Sequence, residues 1–249
     1  MHPLRTVLLA AAVGAAAGCG RPPRDPALAP RPMSATEHRQ AARAHDRAAE
    51  QHEAAALSRE QQDPNADTRC FDQPLEGVAE SGGERYELLR PCWTALTSPS
   101  ARERREAMRH REIAAAHRAR ARALQEAERD HCAGLGADER SHSPFYHRSD
   151  ILRVEPYREG GALRGARVLF RRVPGLTVAW MRKALACHMA RAAALGYPTD
   201  FMPYCPAVLP SVAVEVVDTG DAIAVVVRSE RDDIAAAVLG RAQDLVRDR

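Results

Sequence analysis

The pattern of apolar and polar positions divides this chain into a helical first half and a mixed second half. Over Ser34–Gln62 and again over Pro99–His131, alanine and histidine recur at the three- and four-residue intervals of one helix face, and charged residues fill the rest. Ser34 and Glu37 form a capping-box pattern at the start of the first segment. We therefore predict two long amphipathic helices whose alanine-lined faces pack closely as an antiparallel hairpin.

The C-terminal hundred residues alternate between strand-like and helix-like runs. Runs rich in β-branched residues predict strands, and runs with a 3.6-residue period predict helices. The predicted strands are Ile151–Tyr157, Ala166–Val173, Val208–Val217 and Ala222–Val227, and the predicted helices are Thr177–Leu195 and Asp232–Val246. This β-β-α-β-β-α order predicts a small ferredoxin-like α+β sandwich after the hairpin, and the whole chain is predicted to be of the α+β class.

The N-terminus indicates an exported protein. A basic start precedes the apolar run Val7–Ala17, which is too short to span a bilayer in a mature protein and ends in Ala16-Ala17-Gly18-Cys19. This ending resembles the lipobox of bacterial lipoproteins, in which the cysteine becomes the first residue and is diacylated. The resemblance implies lipidation of Cys19 and, because Gly20 follows rather than Asp, an outer-membrane anchor that faces the periplasm. An ordinary secretory signal with an incidental cysteine is the alternative.

Five segments follow from these patterns. We predict a signal peptide over residues 1–18, a tether over 19–33, the helical hairpin over 34–131, a linker over 132–149 and the α+β domain over 150–249. The tether carries five prolines within fourteen residues and no apolar period, which is typical of an extended spacer.

Charge and motifs narrow the range of functions. The formal net charge is +3, and arginines are mixed with acidic residues along the helices instead of clustering with aromatic residues, so we expect no nucleic-acid partner. The sequence holds no GxSxG, HExxH or glycine-rich phosphate loop. We therefore predict a non-enzymatic binding or interaction module, held at the membrane by its acyl anchor and binding a periplasmic protein.

Histidines repeat every seventh residue on both predicted helices, at His38, His45, His52, His110 and His117. Residues seven apart lie about 10.5 Å apart along a helix, so one helix alone cannot chelate an ion and only layers across the two helices can. In an assumed register in which facing residue numbers sum to 162, His52 lies opposite His110. His45 then lies opposite His117, and Glu106 lies one turn before His110. Such a layer would suit Zn²⁺ or Cu²⁺. A simple packing seam and a pH-sensing seam are the two alternatives.

Cysteines offer disulfides, because an exported protein meets an oxidising compartment. With Cys19 lipidated, five remain: Cys70, Cys92, Cys132, Cys187 and Cys205. A Cys70–Cys92 bond would close the connection between the two helices, and a Cys187–Cys205 bond would pin the end of the third helix. The odd number leaves Cys132 as a free thiol or as the partner of one of the two cysteines in the connection.

A second metal site competes with the Cys187–Cys205 bond. Soft donors gather in this region, at Met181, Cys187, His188, Met202 and Cys205, and thiolate with thioether favours monovalent copper. Alternatively, Met181 belongs to the core and the two cysteines pair. Cys187 and His188 point about 100° apart on one helix, so they cannot act together as nucleophile and base.

Three short sequences in the second half carry a wider resemblance. The Ser143–His147 stretch, the Cys187-His188 pair and the Cys205-Pro206 pair are similar to features of uncharacterised lipoproteins from Gram-negative, myxobacterial-type genomes. The resemblance implies the same periplasmic address and no particular activity. Metal binding or buffering in the periplasm remains the alternative function.

Overall fold

The computed structural model describes residues 25–29, 31–62, 74–81, 84–89 and 98–247, with backbone alone for 74–81 and 84–89. Its helices are α1 Ala35–Gln62, α2 Pro99–His131, α3 Ala137–Ser141, α4 Val178–Ala194 and α5 Asp232–Arg247. Its strands are β1 Pro74–Ser81, β2 Glu84–Leu89, β3 Ile151–Glu159, β4 Ala162–Arg171, β5 Ala213–Asp218 and β6 Ala222–Arg228. The predicted α+β class is confirmed.

The two long helices lie side by side and run in opposite directions. Helix α1 begins with the expected capping box: Ser34 Oγ accepts the Glu37 N–H at 3.2 Å, and Glu37 Oε2 accepts the Ser34 N–H at 2.7 Å. Ser98 caps α2 by accepting the Ala101 N–H. The buried face consists mainly of small residues, Ala42, Ala49, Ala56, Ala107, Ala114 and Ala121. These alanines let the two backbones approach closely enough for longer side chains to interlock between them.

We predict an extended tether, but the part of it that the structure describes contains a short helical turn. Asp25 caps a short 3-10 turn over Pro26–Leu28, and Asp25 Oδ2 lies 2.5 Å from Arg109 Nε on α2. Arg120, which interrupts the apolar face of α2, donates to the carbonyls of Leu28 and Ala29. The described part of the proline-rich segment therefore lies against α2, because these arginines supply partners for its carboxylate and carbonyls.

The second half is built on a four-stranded sheet in the order β3-β4-β6-β5, with every neighbouring pair antiparallel. Strand β6 is buried from Ala222 to Val227, and α4 and α5 pack against the sheet. Gly165 allows β4 and β6 to approach, since a Cβ there would lie 2.0 Å from the Val227 carbonyl oxygen. The core of this half includes Phe145, Ile151, Phe170, Met181, Leu185 and Ile223.

Strand β5 begins five residues later than predicted. The apolar residues Ala207, Val208 and Leu209 are buried in turns before the strand, not paired within it. Pro206 and Pro210 flank them, and proline cannot donate to a ladder, which explains why an apolar run here does not form a strand.

The connection between α1 and α2 contains secondary structure that the sequence analysis did not predict. Strands β1 and β2 pair antiparallel as a separate two-stranded sheet. Cys70 and Cys92, the predicted disulfide of this connection, lie outside the described residues, as does Cys19.

Among the described residues, no helix has the length and apolar character needed to cross a membrane.

A disulfide joins the helix pair to the sheet domain. Cys132, at the end of α2, is bonded to Cys187 on α4, with a Cα–Cα distance of 4.8 Å. The predicted Cys187–Cys205 bond is therefore wrong, and so is the prediction of a free or loop-paired Cys132. Adjacent residues of a helix point about 100° apart. As a result Cys187 faces α2 whereas its neighbour His188 faces Cys205, which is a buried free thiol.

Candidate functional site

The five heptad histidines form one continuous column between α1 and α2. His38 and His117 meet with their Nδ1 atoms 2.8 Å apart, and so do His45 and His110. The ring of His45 stacks on His117 at 5.9 Å between centroids, and that of His52 stacks on His110 at 5.4 Å. Rings from the two helices thus alternate along the interface. We call these five side chains the histidine column.

A carboxylate closes the column at one end. Glu103 Oε2 lies 2.7 Å from His52 Nδ1, and Glu103 Oε1 accepts a hydrogen bond from Arg59 at 3.1 Å. Facing residue numbers therefore sum to 155, so the assumed register of 162 is wrong. The predicted pairs His52–His110 and His45–His117 are in contact through stacked rings, but they do not face each other across the two helices. Glu106, the predicted oxygen ligand, is paired instead with Arg109 one turn along the same helix.

Ion pairs beside the column favour the observed register. A shift of seven residues keeps histidines on facing positions, so the histidines alone do not select between the two registers. In the observed one, Asp46 pairs with Arg118 at 2.7 Å, and ion pairs also join Glu53 to Arg111 and Glu60 to Arg104. The shifted register would place Asp46 opposite Gln125 and would lose one of these three pairs.

Burial keeps the inner histidines neutral. His38 is fully buried, its Nε2 has no hydrogen-bond partner, and burial lowers its pKa to about 4, helped by His117 and Arg120. Burial also lowers the pKa of His117 and of His110, and in both cases the neighbouring His45 adds to the effect. Burial therefore disfavours the charged form of three of the five rings, those of His38, His110 and His117.

The Nδ1 contacts determine how many protons each pair can hold. At 2.8 Å one neutral ring donates its Nδ1–H and the other accepts, so the two rings must be different tautomers. A first added proton can bind at an Nε2 without breaking that hydrogen bond. A second proton places two N–H groups and two positive charges against each other, so full protonation of a pair must push the helices apart.

Metal binding by the column would rely on few donors. Within the described part of the chain, no three histidine, cysteine, aspartate or glutamate side chains are grouped to hold one ion. Each histidine pair offers two ring nitrogens, and Glu103 is the single carboxylate in direct contact with a column ring there.

A second cluster lies in the sheet domain. His188 Nε2 is 3.3 Å from Cys205 Sγ, and Ser143 Oγ lies 3.3 Å from the same sulfur. Burial lowers the pKa of His188 to about 4 and raises the pKa of the Cys205 thiol. Of the predicted soft-metal residues, Cys187 is in a disulfide and Met181 is in the core. His188 and Cys205 remain in contact, and Met202 lines a cavity with His188.

Sequence reasoning missed Glu103 and Ser143. Glu103 was detectable, because it occupies the heptad slot that precedes His110 and His117. Ser143 was named only as part of the Ser143–His147 stretch, and its contact with Cys205, 62 residues away, could not be predicted from spacing. Comparisons with protein-family models, with curated proteins and with solved structures find no match to this chain.

Proposed function

We propose that this chain is a lipoprotein anchored through Cys19 in the outer membrane, facing the periplasm, where it acts as a non-enzymatic binding module that responds to acid. Its N-terminal sequence supports the anchor, and the opposed α1 and α2 support a helical hairpin as the responding part. The strand order β3-β4-β6-β5 supports a ferredoxin-like arrangement. Its difference from that arrangement is that the edge strand β3 comes first in the chain.

The observation that carries the acid response is the histidine column itself. Five rings are interlocked at hydrogen-bonding and stacking distances, and His38, at one end of the column, is fully buried. Histidine is the side chain whose ordinary pKa lies in the range that a mildly acidified compartment reaches. Because burial lowers the pKa of His38 to about 4, acid favours the state in which α1 and α2 have separated and the rings can accept protons.

The charged groups around the column favour separation of α1 and α2 on protonation, because few of them could stabilise added positive charge within the closed interface. Arg120 faces both His38 and His117, and Arg31 also acts on His117. The charge of Arg109 lowers the pKa of His110, whereas that of Glu106 raises it. Glu37, which acts on His38, is already engaged by its capping bonds to Ser34. Among the described residues, the His38–His117 pair thus lacks a free carboxylate that could balance the charge of a second proton.

A distance measurement across the helix pair tests this proposal. Spin labels at the exposed positions Ser58 and Arg102, in a background with Cys70→Ser and Cys92→Ser, report the separation of α1 and α2 at one end. We expect a narrow distance distribution at pH 7.5 and a longer, broader one at pH 4.5, measured by double electron–electron resonance on the full chain in a nonionic detergent.

Two column variants and one control make the result specific. Changing the four paired histidines to glutamine keeps donors and acceptors but removes titration, so the distance should no longer depend on pH. Changing the same four histidines to leucine gives the same result by an apolar route if the first variant does not fold. The control His131→Gln changes an exposed histidine outside the column and should behave as wild type. An unchanged wild-type distance at pH 4.5 would contradict the acid response.

A second candidate function is the binding of monovalent copper, favoured by the 3.3 Å contact between His188 Nε2 and Cys205 Sγ. A thiolate and a neutral imidazole suit this soft ion, and Met202, whose thioether is also a soft donor, lines a cavity with His188. Binding would replace the proton on Cys205, which leaves to solvent. The low pKa of His188 means that few protons compete for its nitrogen.

Competition with a Cu(I) chelator tests this candidate. In the Cys70→Ser and Cys92→Ser background we expect one equivalent of Cu(I) to bind, with a thiolate-to-metal absorption band in the near ultraviolet. Cys205→Ser should abolish the band and His188→Gln should weaken binding, whereas Met189→Leu, on the same helix but outside the cluster, should have no effect. A band that survives Cys205→Ser would exclude this site.

A further inference from the structure

A cleft of about 290 Å³ opens between α3, the turn at Pro144–Tyr146 and the start of α4. Four ring side chains line it: His142, Tyr146, His147 and Trp180. The rings of His142 and Tyr146 lie 5.2 Å apart, and His147 meets Trp180 edge-on at 6.1 Å. The Tyr146 side chain is 63% exposed. An aromatic surface is therefore left open to solvent around one cavity, which core packing does not explain.

The charge at this cleft is negative. Both acidic residues of α3, Asp138 and Glu139, line it, and no arginine or lysine is among its lining residues. Glu139 is held in place because it accepts hydrogen bonds from Trp180 Nε1 at 2.6 Å and from the Gly136 N–H at 2.5 Å. The positive charge of Lys183 helps to lower the pKa of Glu139, but Lys183 does not line the cleft. Within the described residues, the Asp138 carboxylate has no ion-pair partner and remains for a ligand.

We infer that this cleft binds a small organic ammonium ion. Aromatic faces attract cations through the ring quadrupole, and carboxylates add a full opposing charge. The same carboxylates disfavour anions, and a neutral apolar ligand would gain nothing from them. Alkylated ammonium groups suit the cleft best because they are weakly hydrated and present methyl groups to the rings. Such a group can belong to a free solute or to the headgroup of a zwitterionic phospholipid.

Trp180 supplies the readout, because the chain has two tryptophans and Trp93→Phe leaves Trp180 alone. We titrate the full chain with choline and, separately, with 3,3-dimethylbutan-1-ol, its uncharged counterpart of similar shape. We expect choline to change Trp180 emission in a saturable way and the alcohol to bind at least about tenfold more weakly, as loss of a cation–π and charge contact requires. Saturation-transfer NMR on the wild-type chain gives a second reading that does not need the Trp93 variant.

Matched variants and vesicles complete the test. Tyr146→Ala and Asp138→Asn should each weaken choline binding, whereas Phe201→Ala and Asp130→Asn, an exposed aromatic and an exposed acid elsewhere, should not. Binding of free choline assigns a soluble ligand, and binding confined to phosphatidylcholine vesicles assigns a lipid headgroup. Equal binding of choline and the alcohol, or loss of binding in the two control variants, would overturn the inference.

Discussion

Lowering the pH from 7.5 to 5.0 is expected to reduce the free energy of unfolding by about 4 kcal/mol, of which His38 and His188 each contribute roughly half. Both side chains are almost fully buried, and burial lowers the pKa of each to about 4, compared with 6.5 in the unfolded chain. Chemical denaturation monitored by circular dichroism and by tryptophan fluorescence at several pH values measures the change.

The direction follows from proton uptake. Between pH 6.5 and pH 4 the unfolded chain binds protons at these two histidines and the folded chain does not, so acid favours unfolding. The stabilisation is complete above pH 6.5 and is lost progressively as the pH falls toward 4. His117 and His110, whose pKa values are also lowered, act in the same direction. Stopping at pH 5.0 separates this effect from the carboxylates, whose ordinary pKa values lie lower.

Variants assign the loss to the two sites. His38→Leu with His117→Leu replaces both partners of a buried hydrogen bond with apolar groups, so stability at pH 7.5 should change little while about half of the pH dependence disappears. His188→Gln should remove the other half, and His131→Gln should remove none. If the doubly substituted His38 and His117 variant keeps the full wild-type dependence of the free energy of unfolding on pH, the His38–His117 pair is not the acid-sensitive element.

The heptad spacing of histidine and alanine was enough to predict both long helices and the face on which they meet. It was not enough to predict their register, because a repeat of seven looks the same after a shift of seven. The observed register depends on flanking ion pairs such as Asp46–Arg118 and on Glu103, which takes a histidine slot in the repeat. A register is therefore determined by the residues that break a repeat and not by those that make it.

The cysteine pairing could not be predicted from the sequence either, for a different physical reason. Cys187 and His188 are neighbours in the chain, yet a helix sends them toward different elements, one to α2 and one to the turn before β5. Spacing along the chain therefore says little about which sulfur meets which. The same geometry that removes Cys187 from the predicted soft-metal set brings His188 and Cys205 into contact, so part of that set survives.

Removing the Cys132–Cys187 bond is expected to lower the free energy of unfolding by about 4 kcal/mol, the entropy that a closed loop of 55 residues withholds from the unfolded chain. Cys132→Ala with Cys187→Ala should show this loss in denaturant titrations at pH 7.5. Reduction should cause the same loss in a chain that carries Cys70→Ser and Cys92→Ser, in which no other predicted disulfide is broken. The bond also fixes the end of α2 to α4, where Trp180 and Leu135 pack beside it. We therefore expect the variant to unfold in two separate steps, the helix pair first.

Cys205 provides the decisive comparison, because the two cysteine pairings predict opposite outcomes for it. If Cys187 is bonded to Cys132, Cys205→Ala leaves the bond and its stabilisation intact and loses only the contacts of the buried thiol with His188 and Ser143. A Cys187–Cys205 bond would instead make Cys205→Ala as damaging as the double alanine variant and would free one thiol. Peptide mapping without reductant distinguishes the two directly: a fragment linking Cys132 to Cys187 supports the observed connection, and one linking Cys187 to Cys205 refutes it.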